Sequence, residues 1–334
     1  MISSKTNEVV ISSRIRLARN LQDFAFPARL TEEKAKQVLN KVADCIVALG
    51  GFKVYVMQKL DYYDSMVMQE KHLISNKLVE NPSGAVLLNE DETVSIMVNE
   101  EDHIRAQCIL EGLELEQAYR IISDIEDEIT KNIDLAFDQN LGYLTACITN
   151  VGTGMRASCM MFLPGLTLSG NMTELVNYAS SKGLTIRGAF GEGSNSEGYM
   201  YQISNATSLG LSEREIIGIV KEAVEQISAI ELAEREKLAK NSPILIKDRV
   251  FRAWGLLTNA YTLSDKEFLK LIGDLKLGMY LNIIRLKTPQ LVTKLTFQCM
   301  QHSMAKISGK HLTQEQIEVY RAEYVAHMLK SKRI

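Results

Sequence analysis

Two arginines near the N-terminus have a spacing that could bind phosphate. Arg14 and Arg16 lie two residues apart in Ser12-Ser13-Arg14-Ile15-Arg16, where apolar positions alternate as in a strand, so both side chains project from one face. Two guanidinium groups on one face repel each other unless an anion lies between them. The planar guanidinium fork suits phosphate because it binds two oxygens at once. Taken alone, the segment could equally be the solvated face of an edge strand.

Carboxylates cluster in a second segment, residues 99–105 (NEEDHIR), directly after an apolar strand predicted over residues 93–98. Carboxylates at the end of a strand, here Glu100 and Glu101, can orient a cationic substrate or act as a general base. An ordinary polar turn is the competing interpretation. His103 has no further candidate ligands near it, so a structural hydrogen-bonding role is favoured over a metal site.

A third segment, residues 141–158, contains one cysteine and the turn Gly152-Thr153-Gly154 before Arg156. The amides of such a turn can approach an anion, although the Walker pattern that ends in Gly-Lys-Ser/Thr is absent. Cys147 is expected at the end of a strand beside this cationic site, where a positive charge would favour its thiolate. The alternative for this cysteine is a small buried hydrophobic residue.

A fourth segment, residues 186–198, holds Arg187, four glycines and two glutamates, Glu192 and Glu197, between two predicted strands. Such a loop could close over a substrate, or it could be a solvated hairpin connection. Together the four segments supply several acids, one cysteine and five arginines, a set that suits a triphosphate beside a cationic acceptor. These arginines are Arg14, Arg16, Arg105, Arg156 and Arg187.

The elements that must position these segments are predicted from hydrophobic periodicity. Apolar residues three and four apart predict helices over residues 31–49, 114–133, 171–182 and 212–240. The last of these is expected to begin with a capping box of Ser212 and Glu215. Strands are predicted over residues 52–57, 84–88, 93–98, 141–148, 157–163, 184–190 and 199–204. Several strand pairs are joined by turns too short for a parallel crossover. The predicted fold is therefore α+β, with an antiparallel β-sheet flanked by helices.

The character of the sequence changes near Asn241-Ser242-Pro243, and a domain boundary is expected at residues 241–244. Only helical periodicity follows, with capping boxes predicted at Ser264 and Thr313. We therefore expect an α+β domain over residues 1–240 and an all-α C-terminal domain, which could dimerise or regulate, over residues 244–334.

Composition excludes several classes of protein. Of the 334 residues, 38 are Lys or Arg and 41 are Asp or Glu, and this net charge of −3 does not attract nucleic acid or an anionic membrane. No stretch predicts a transmembrane helix, and the N-terminus lacks the apolar core of a signal peptide. The five cysteines form no C-x-x-C pair, so neither a disulfide framework nor a structural zinc site is expected, as is typical of the cytoplasm.

The four segments resemble those of the ATP:guanidino phosphotransferase family, which includes arginine kinase and creatine kinase. The matching stretches are SSRIR, NEEDHIR, LGYLTACITNVGTGMR and RGAFGEGSNSEG with YQISN, in the family's order over residues 9–210. The resemblance implies a kinase that uses ATP and Mg²⁺, and it implies that residues 1–240 form the family's catalytic domain. Mg²⁺ would bridge the nucleotide phosphates without dedicated protein ligands.

The resemblance also implies roles for individual residues. The five arginines would form the family's clamp on the ATP phosphates, with Ser12 as a supporting residue. Glu101 would orient the substrate guanidinium and take its proton, and Glu192 would be the second acid that binds it. Cys147 would lie beside the reacting nitrogen, and Glu100 would support these groups. A guanidinium is a poor nucleophile because its pKa exceeds about 12, so carboxylates that hold it and accept a proton suit the reaction.

Two features resemble the bacterial protein-arginine kinases of this family rather than its small-molecule kinases. Only eleven residues precede Ser12, so the helical domain that precedes this strand in small-molecule kinases is expected to be absent. The helical periodicity after residue 243 is also foreign to those kinases. The resemblance therefore implies that the substrate is an arginine side chain of a protein, which needs an open site.

The same resemblance implies a cytoplasmic enzyme of the stress response and protein quality control that produces protein phosphoarginine. It implies a homodimer, and partners such as an McsA-like activator, a CtsR-like repressor and a ClpC-like chaperone, without direct binding of nucleic acid or membrane. Two alternatives remain open. One is a minimal phosphagen kinase that acts on a free guanidino compound, and the other is a weakly active adaptor of a Clp chaperone and repressor system.

The sequence departs from the family pattern at three places. Ile148 stands where the family usually has proline after the cysteine. Leu88 stands where small-molecule kinases place a histidine against the adenine, so apolar packing of the adenine is expected. The Arg-Asp pair that binds phosphoarginine in the protein-arginine kinases falls near Ile317-Glu318 and is not matched.

Overall fold

The computed structural model of the protein describes residues 6–190 and 196–332. Its strands alternate with helices as far as residue 241, and only helices follow. The strands are β1 (Val10–Arg19), β2 (Phe52–Val56), β3 (Ala85–Asn89), β4 (Val94–Val98), β5 (Ile104–Glu111), β6 (Phe137–Asp138), β7 (Gly142–Tyr143), β8 (Met155–Phe162), β9 (Leu184–Gly188) and β10 (Met200–Asn205).

The α-helices begin with α1 (Glu32–Ala48), α2 (Tyr62–Glu70), α3 (Asn76–Val79), α4 (Leu115–Thr130), α5 (Pro164–Leu168), α6 (Met172–Ser181) and α7 (Glu213–Asn241). They continue with α8 (Pro243–Asn259), α9 (Asp265–Tyr280), α10 (Gln290–Gln298), α11 (Gln301–Ser308) and α12 (Gln314–Lys330). We call α8 to α12 the helical region. The capping boxes expected at Ser212 and Thr313 are both formed, whereas at Ser264 the hydroxyl accepts the Glu267 amide.

Eight of the strands form one sheet in the order β2-β3-β4-β5-β1-β8-β10-β9, and every neighbouring pair is antiparallel. The long strand β1 lies between β5 and β8 near the middle of this sheet. The short strands β6 and β7 pair separately. The predicted α+β fold with an antiparallel sheet flanked by helices is therefore confirmed.

Helices cover one face of the sheet. Ile15 and Leu17 of β1 are buried on this face in an apolar core that includes the inward faces of α1, α4 and α7. Because successive side chains of a strand point to opposite faces, Arg14 and Arg16 lie on the other face. This second face is partly exposed and is bounded at one end by the helical region.

The helical region has an apolar core of its own and packs against the sheet part of the chain through both apolar and polar contacts. The hydroxyl of Tyr199, just before β10, donates to Asp274 of α9 (2.5 Å) and accepts from Arg249 of α8 (3.1 Å). Glu70 at the end of α2 accepts hydrogen bonds from the start of α11. These contacts hold the helical region beside the face of the sheet that carries Arg14 and Arg16.

The strand predicted over residues 141–148 is wrong. Only Gly142–Tyr143 belongs to a strand, and a 3-10 helix covers Ile148–Asn150. Gly142 and Gly152 approach so closely that a Cβ atom on Gly142 would lie 2.4 Å from the Gly152 carbonyl oxygen. The backbone amide of Ala146 donates a hydrogen bond to the buried carboxylate of Asp102 (2.7 Å) instead of to a neighbouring strand. Side-chain and loop contacts thus replace the ladder that periodicity predicted.

Two further expectations concern the whole chain. Within residues 6–190 and 196–332, none of the helices combines the length and the apolar character that crossing a bilayer requires. All five cysteines are free thiols, as expected from their spacing.

Candidate active site

The register of the central strands brings arginines from three strands to one face of the sheet. Arg14 and Arg16 share this face, as their spacing predicts. Arg16 is directly opposite Arg156 of β8, and its neighbour two residues along, Ala18, is directly opposite Arg105 of β5. Residues that are directly opposite in an antiparallel pair point to the same face, so all four guanidinium groups lie on the same side.

Arg187 reaches the same face through two more strands. Met160 of β8 is opposite Gln202 of β10, which is in turn opposite Arg187 of β9. Met160 lies four residues after Arg156 and therefore shares its face. We call this surface the arginine face, defined by Arg14, Arg16, Arg105, Arg156 and Arg187.

The arginine face concentrates positive charge that the described residues only partly neutralise. Burial lowers the pKa of Arg14 to about 10, with contributions from Arg105 and Arg156. Burial is the main cause that lowers the pKa of Arg16 well below its usual value, and repulsion from the neighbouring arginines, Arg14 first, adds to it. The buried Nε of Arg16 has no hydrogen-bond partner. Within residues 6–190 and 196–332, Arg105 alone among the five pairs with a carboxylate. Such a surface favours a polyanion that supplies the missing acceptors.

The two glutamates of residues 99–105 lie at the edge of the arginine face, in the turn between β4 and β5. Asn99 adopts a φ of 57° there, and its backbone amide donates to the His103 carbonyl (3.0 Å), which tightens the turn. Glu100 is buried and accepts from Arg105 (2.6 Å) and from the Ser75 hydroxyl. Burial raises the Glu100 pKa, but Arg105 and these hydrogen bonds outweigh it, and the pKa is lowered.

Glu101 points into a more open environment than Glu100. Its side chain is 30% exposed, and its Oε1 lies 2.7 Å from Nζ of Lys77, which is itself 61% exposed. Lys77 belongs to the short helix α3. The carboxylate is therefore accessible to a second cation, and a resident lysine holds it in this structure.

A buried polar network joins this turn to the loop that carries the cysteine. Asp102 accepts from the Asn20 side chain (2.6 Å) and from the Ala146 amide (2.7 Å), and burial raises its pKa. His103 accepts the Leu21 amide at Nδ1 (3.0 Å) and contacts the Ala25 carbonyl through Nε2 (2.9 Å). Burial lowers the His103 pKa. His103 is thus a structural hydrogen-bonding residue, as the sequence indicated.

Cys147 directly precedes the 3-10 helix and is partly exposed. Its Sγ lies 3.1 Å from the Thr149 hydroxyl, and the residue is near enough to Arg156 to influence the pKa of that arginine. Burial lowers the Arg156 pKa, Arg187 and Arg105 lower it further, and Cys147 opposes them. Ile148, next in sequence, is 86% exposed.

His72 is a site residue that the sequence analysis missed. It follows α2 with a φ of 61°, and the Gln107 side chain donates to its carbonyl oxygen (2.7 Å). Burial, together with the charges of Arg14 and Arg16, lowers the pKa of His72 to about 4. The buried Nε2 has no hydrogen-bond partner. A single histidine after a helix is too weak a signal to find in sequence, because only the fold places it beside two arginines.

A cavity of about 1260 Å³ continues from the arginine face to the helical region. Ser12 and Arg14 of β1 both line this cavity. Leu88 is buried in an apolar cluster with Met97 and does not line this cavity, and the apolar packing of the adenine expected at Leu88 stays a prediction. Glu192 lies outside the described residues.

The position of the unmatched Arg-Asp pair lies in the core of the helical region. Ile317 is 4% exposed, and the Glu318 carbonyl accepts the Leu263 amide (3.1 Å). The nearby Arg321 is fully buried and its guanidinium bonds to the Cys299 carbonyl. These residues support packing rather than an open pocket.

Two family models match the chain. The model described as ATP:guanido phosphotransferase, C-terminal catalytic domain, matches residues 32–234. The model described as protein-arginine kinase McsB C-terminal domain matches residues 243–333.

Relatives and solved structures agree with these matches. The chain is 44% identical to a protein-arginine kinase of Caldanaerobacter subterraneus subsp. tengcongensis over 97% of its own length and 98% of that protein. It is 42% identical to a protein-arginine kinase of Clostridium tetani over 98% and 97% of the two lengths. A lombricine kinase structure shares 26% identity and a TM-score of 0.60 over 68% of this chain and 67% of that one. The duplicated taurocyamine kinase of Schistosoma mansoni, at 22% identity, shares the fold with a TM-score of 0.64 over 93% of this chain and 48% of its own.

Proposed function

Because the chain belongs to the ATP:guanido phosphotransferase family, we propose that it transfers the γ-phosphoryl group of ATP to arginine side chains of proteins. The observation that carries this proposal is the arginine face with Glu101 at its edge. Relatives at 44% and 42% identity that span nearly the whole chain bear the name protein-arginine kinase. The proposal extends their activity to this protein.

The arginine face is suited to the phosphates of ATP. Its guanidinium groups are crowded by one another and, apart from Arg105, have no carboxylate partner in the described residues. A triphosphate would relieve this repulsion and supply acceptors for the unpartnered Nε of Arg16. His72, whose Nε2 also lacks a partner, would contact the nucleotide beside Arg14.

The acceptor is proposed to lie at the Glu101 side of the arginine face. Glu101 would hold the substrate guanidinium and accept its proton as the nitrogen attacks, with Glu192 as the second acid and Cys147 beside the reacting nitrogen. The nitrogen–phosphorus bond forms as the bond from the γ-phosphorus to the ADP oxygen breaks, and the charge that develops on the equatorial oxygens meets the arginines. Glu100 would keep Arg105 in place through their 2.6 Å ion pair.

Mg²⁺ is part of the proposal as an ion carried by the nucleotide. Among residues 6–190 and 196–332, no group of three or more His, Cys, Asp or Glu side chains could hold a metal ion. The donor set of the site, which is arginine rather than carboxylate, fits an ion held mainly by phosphate oxygens. Bound there, Mg²⁺ would neutralise part of the phosphate charge.

The proposed reaction is tested by identifying its product, phosphoarginine in a protein substrate. Purified protein is incubated with Mg-ATP and casein, and phosphosites are mapped by mass spectrometry without acid, because the phosphorus–nitrogen bond is acid-labile. We expect phosphoarginine on the protein, lost in Glu101→Gln and retained in the control Glu90→Gln, which alters an exposed acid of the β3–β4 turn. Wild-type transfer by Glu101→Gln would show that another group takes the proton. ADP release with free arginine, without protein phosphoarginine, would identify a small-molecule kinase instead.

A homodimer through the helical region is a further part of the proposal. Four exposed apolar side chains of α8 lie around one side of the helix: Ile244, Leu245, Phe251 and Leu256. Exposed apolar side chains that share one side of a helix are typical of an interface. Sedimentation of the wild type and of Phe251→Glu would test it, since a charge should dissociate a dimer formed there. An unchanged sedimentation coefficient in the variant would place any interface elsewhere.

The cellular role is proposed from the same kinship. We propose a cytoplasmic enzyme of stress response and protein quality control, a location supported by five free cysteines. Its partners would be an McsA-like activator, a CtsR-like repressor and a ClpC-like chaperone. Addition of an McsA-like protein to the casein assay tests the first of these, because an activator should raise the rate of phosphoarginine formation.

A further inference from the structure

The cavity beside the arginine face has walls from two parts of the chain. Ser12, Arg14 and Met160 line it from the sheet, and Lys276 and Phe297 line it from the helical region. Arg14 belongs both to the arginine face and to this cavity. A nucleotide whose phosphates lie on the arginine face therefore has the cavity directly beside it, and its remaining atoms would meet a wall that the helical region supplies.

Phe297, in that wall, contacts His72 and Phe190 through its aromatic ring. Its ring centroid lies 6.4 Å from the ring of His72, with the planes at 77°, and 6.1 Å from the ring of Phe190. His72 and Phe190 are themselves 6.5 Å apart. The three rings form a closed cluster of edge and tilted contacts, a geometry that aromatic side chains favour. Phe297 thus limits the orientations open to the His72 ring, whose Nε2 is buried without a partner.

A second contact ties the backbone before His72 to the helical region. Glu70, the last residue of α2, accepts the backbone amides of His302 and Ser303 (both 2.8 Å). It also accepts the Ser303 hydroxyl (2.7 Å) and lies 2.8 Å from Nδ1 of His302. One carboxylate therefore satisfies the start of α11, where unpaired amides favour negative charge. Glu70 lies two residues before His72 in sequence. The bond between Glu70 and the start of α11 therefore fixes the backbone close to His72.

These contacts support an inference that goes beyond the proposed function and takes from it only the identity of the ligand, a nucleotide. We propose that the helical region is an integral part of the nucleotide site, and that Phe297 and Glu70 are positioning residues that hold His72 against the nucleotide. Nucleotide affinity then depends on how the helical region is docked. By thermodynamic reciprocity, bound nucleotide stabilises that docking to the same extent.

The test measures binding of Mg-ADP to the full chain by isothermal titration calorimetry, so it does not depend on which acceptor the enzyme uses. We expect Phe297→Ala to weaken Mg-ADP binding by about tenfold. Phe297→Leu, which keeps most of the volume, should recover most of this loss. The control is Tyr261→Ala, which removes an aromatic ring that is 81% exposed outside the cavity and should bind as the wild type does. Wild-type affinity in Phe297→Ala would overturn the proposal.

A double-mutant cycle separates positioning from general loss of packing. If Phe297 acts through His72, then Phe297→Ala should add no further loss in a His72→Ala background. Equal losses with and without His72 would refute the positioning role. Glu70→Ala provides a second entry, because it removes the acceptors at α11 without touching the rings, and it should also weaken Mg-ADP binding and lose its effect in the His72→Ala background. If Phe297→Ala fails to fold, wild-type affinity in Glu70→Ala would overturn the proposal.

The kinetic readout distinguishes this inference from the proposed reaction. In the casein assay, the substitutions should raise KM for ATP while kcat and KM for the protein change by less than about twofold. An equal rise in KM for the protein would contradict positioning of the nucleotide. If no phosphoarginine forms at all but Phe297→Ala still weakens Mg-ADP binding, then the proposed reaction fails and the inference stands.

Discussion

The ion pair between Lys77 and Glu101 occupies the carboxylate that we assign to the substrate guanidinium. Lys77 lies 2.7 Å from Glu101, so a substrate arginine must displace the lysine before it can bind. We therefore predict that Lys77→Met, which keeps the length of the side chain and removes its charge, lowers KM for a protein substrate. The maximal rate should change little, because the lysine has left Glu101 when the substrate is bound.

The size of this effect follows from the exposure of the pair. Two unit charges 2.7 Å apart attract by about 1.5 kcal/mol at the dielectric constant of water. Lys77 is 61% exposed, so side-chain entropy and screening remove much of this attraction. Exposed pairs of this kind are worth about 0.2–1 kcal/mol, which corresponds to a decrease in KM of about 1.4- to fivefold. The decrease should shrink as ionic strength rises.

The assay is steady-state phosphoarginine formation on casein at saturating Mg-ATP, followed under non-acidic conditions. Lys221→Met is the matched control, because Lys221 forms an exposed pair with Glu116 between α7 and α4 on the covered face of the sheet. Its KM for protein should equal that of the wild type. A higher KM in Lys77→Met would refute competition and show that the lysine orients Glu101 or binds the substrate. An unchanged KM would show that the pair does not hinder binding in solution.

Three other substitutions test charge, backbone and burial separately. Arg16→Met should lower kcat/KM by about 10²–10³ because a donor to the phosphates is lost. Without nucleotide it should raise the melting temperature, since burial and neighbouring arginines disfavour the Arg16 charge, and a lower melting temperature would contradict this. Gly142→Ala should lower the free energy of unfolding in urea by about 1–3 kcal/mol, because at φ +77° its Cβ would lie 2.4 Å from a facing carbonyl oxygen. The control is Gly170→Ala, which has a φ of +76° and no atom near its Cβ, so it measures the backbone cost alone. Equal urea midpoints for the two variants would be inconsistent with the clash. Burial and the charge of Arg235 lower the pKa of Lys276 from 10.5 to about 7, so between these pH values the unfolded chain binds a proton that the folded chain lacks. Stability should therefore rise with pH in this window, by up to about 1.36 kcal/mol per unit, and Lys276→Met should remove the rise in urea unfolding at two pH values inside it; a slope equal to that of the wild type would argue that Lys276 stays charged.

Local patterns predicted much of the fold, and the reason lies in short-range geometry. Apolar residues three and four apart predicted α1 and α7, and the capping box at Ser212 marked where α7 begins. The two-residue spacing of Arg14 and Arg16 predicted that they share a face, because strand geometry alone sets this relation. Short turns between strands predicted antiparallel pairing for the same reason.

Where tertiary contacts override local propensity, the prediction failed. Residues 141–148 have the apolar alternation of a strand, yet the Gly142–Gly152 approach and the bond from Ala146 to Asp102 hold most of them out of any ladder. Both contacts join residues that are further apart in sequence than the two- to four-residue spacings that periodicity compares. Periodicity therefore cannot detect them.

The sequence by itself determined which chemical groups are available and in what order, since the residue types and their motifs are local properties of the chain. Only the tertiary structure decided their surroundings. Lys77 and Glu101 are 24 residues apart in sequence, and Phe297 and His72, which are much further apart in sequence, meet in the folded chain. Burial and neighbouring charge set the pKa of Arg16, and neither can be read from its sequence neighbours alone. Such pairings depend on how the strands of the sheet register and how the helical region docks, and these are properties of the whole folded chain.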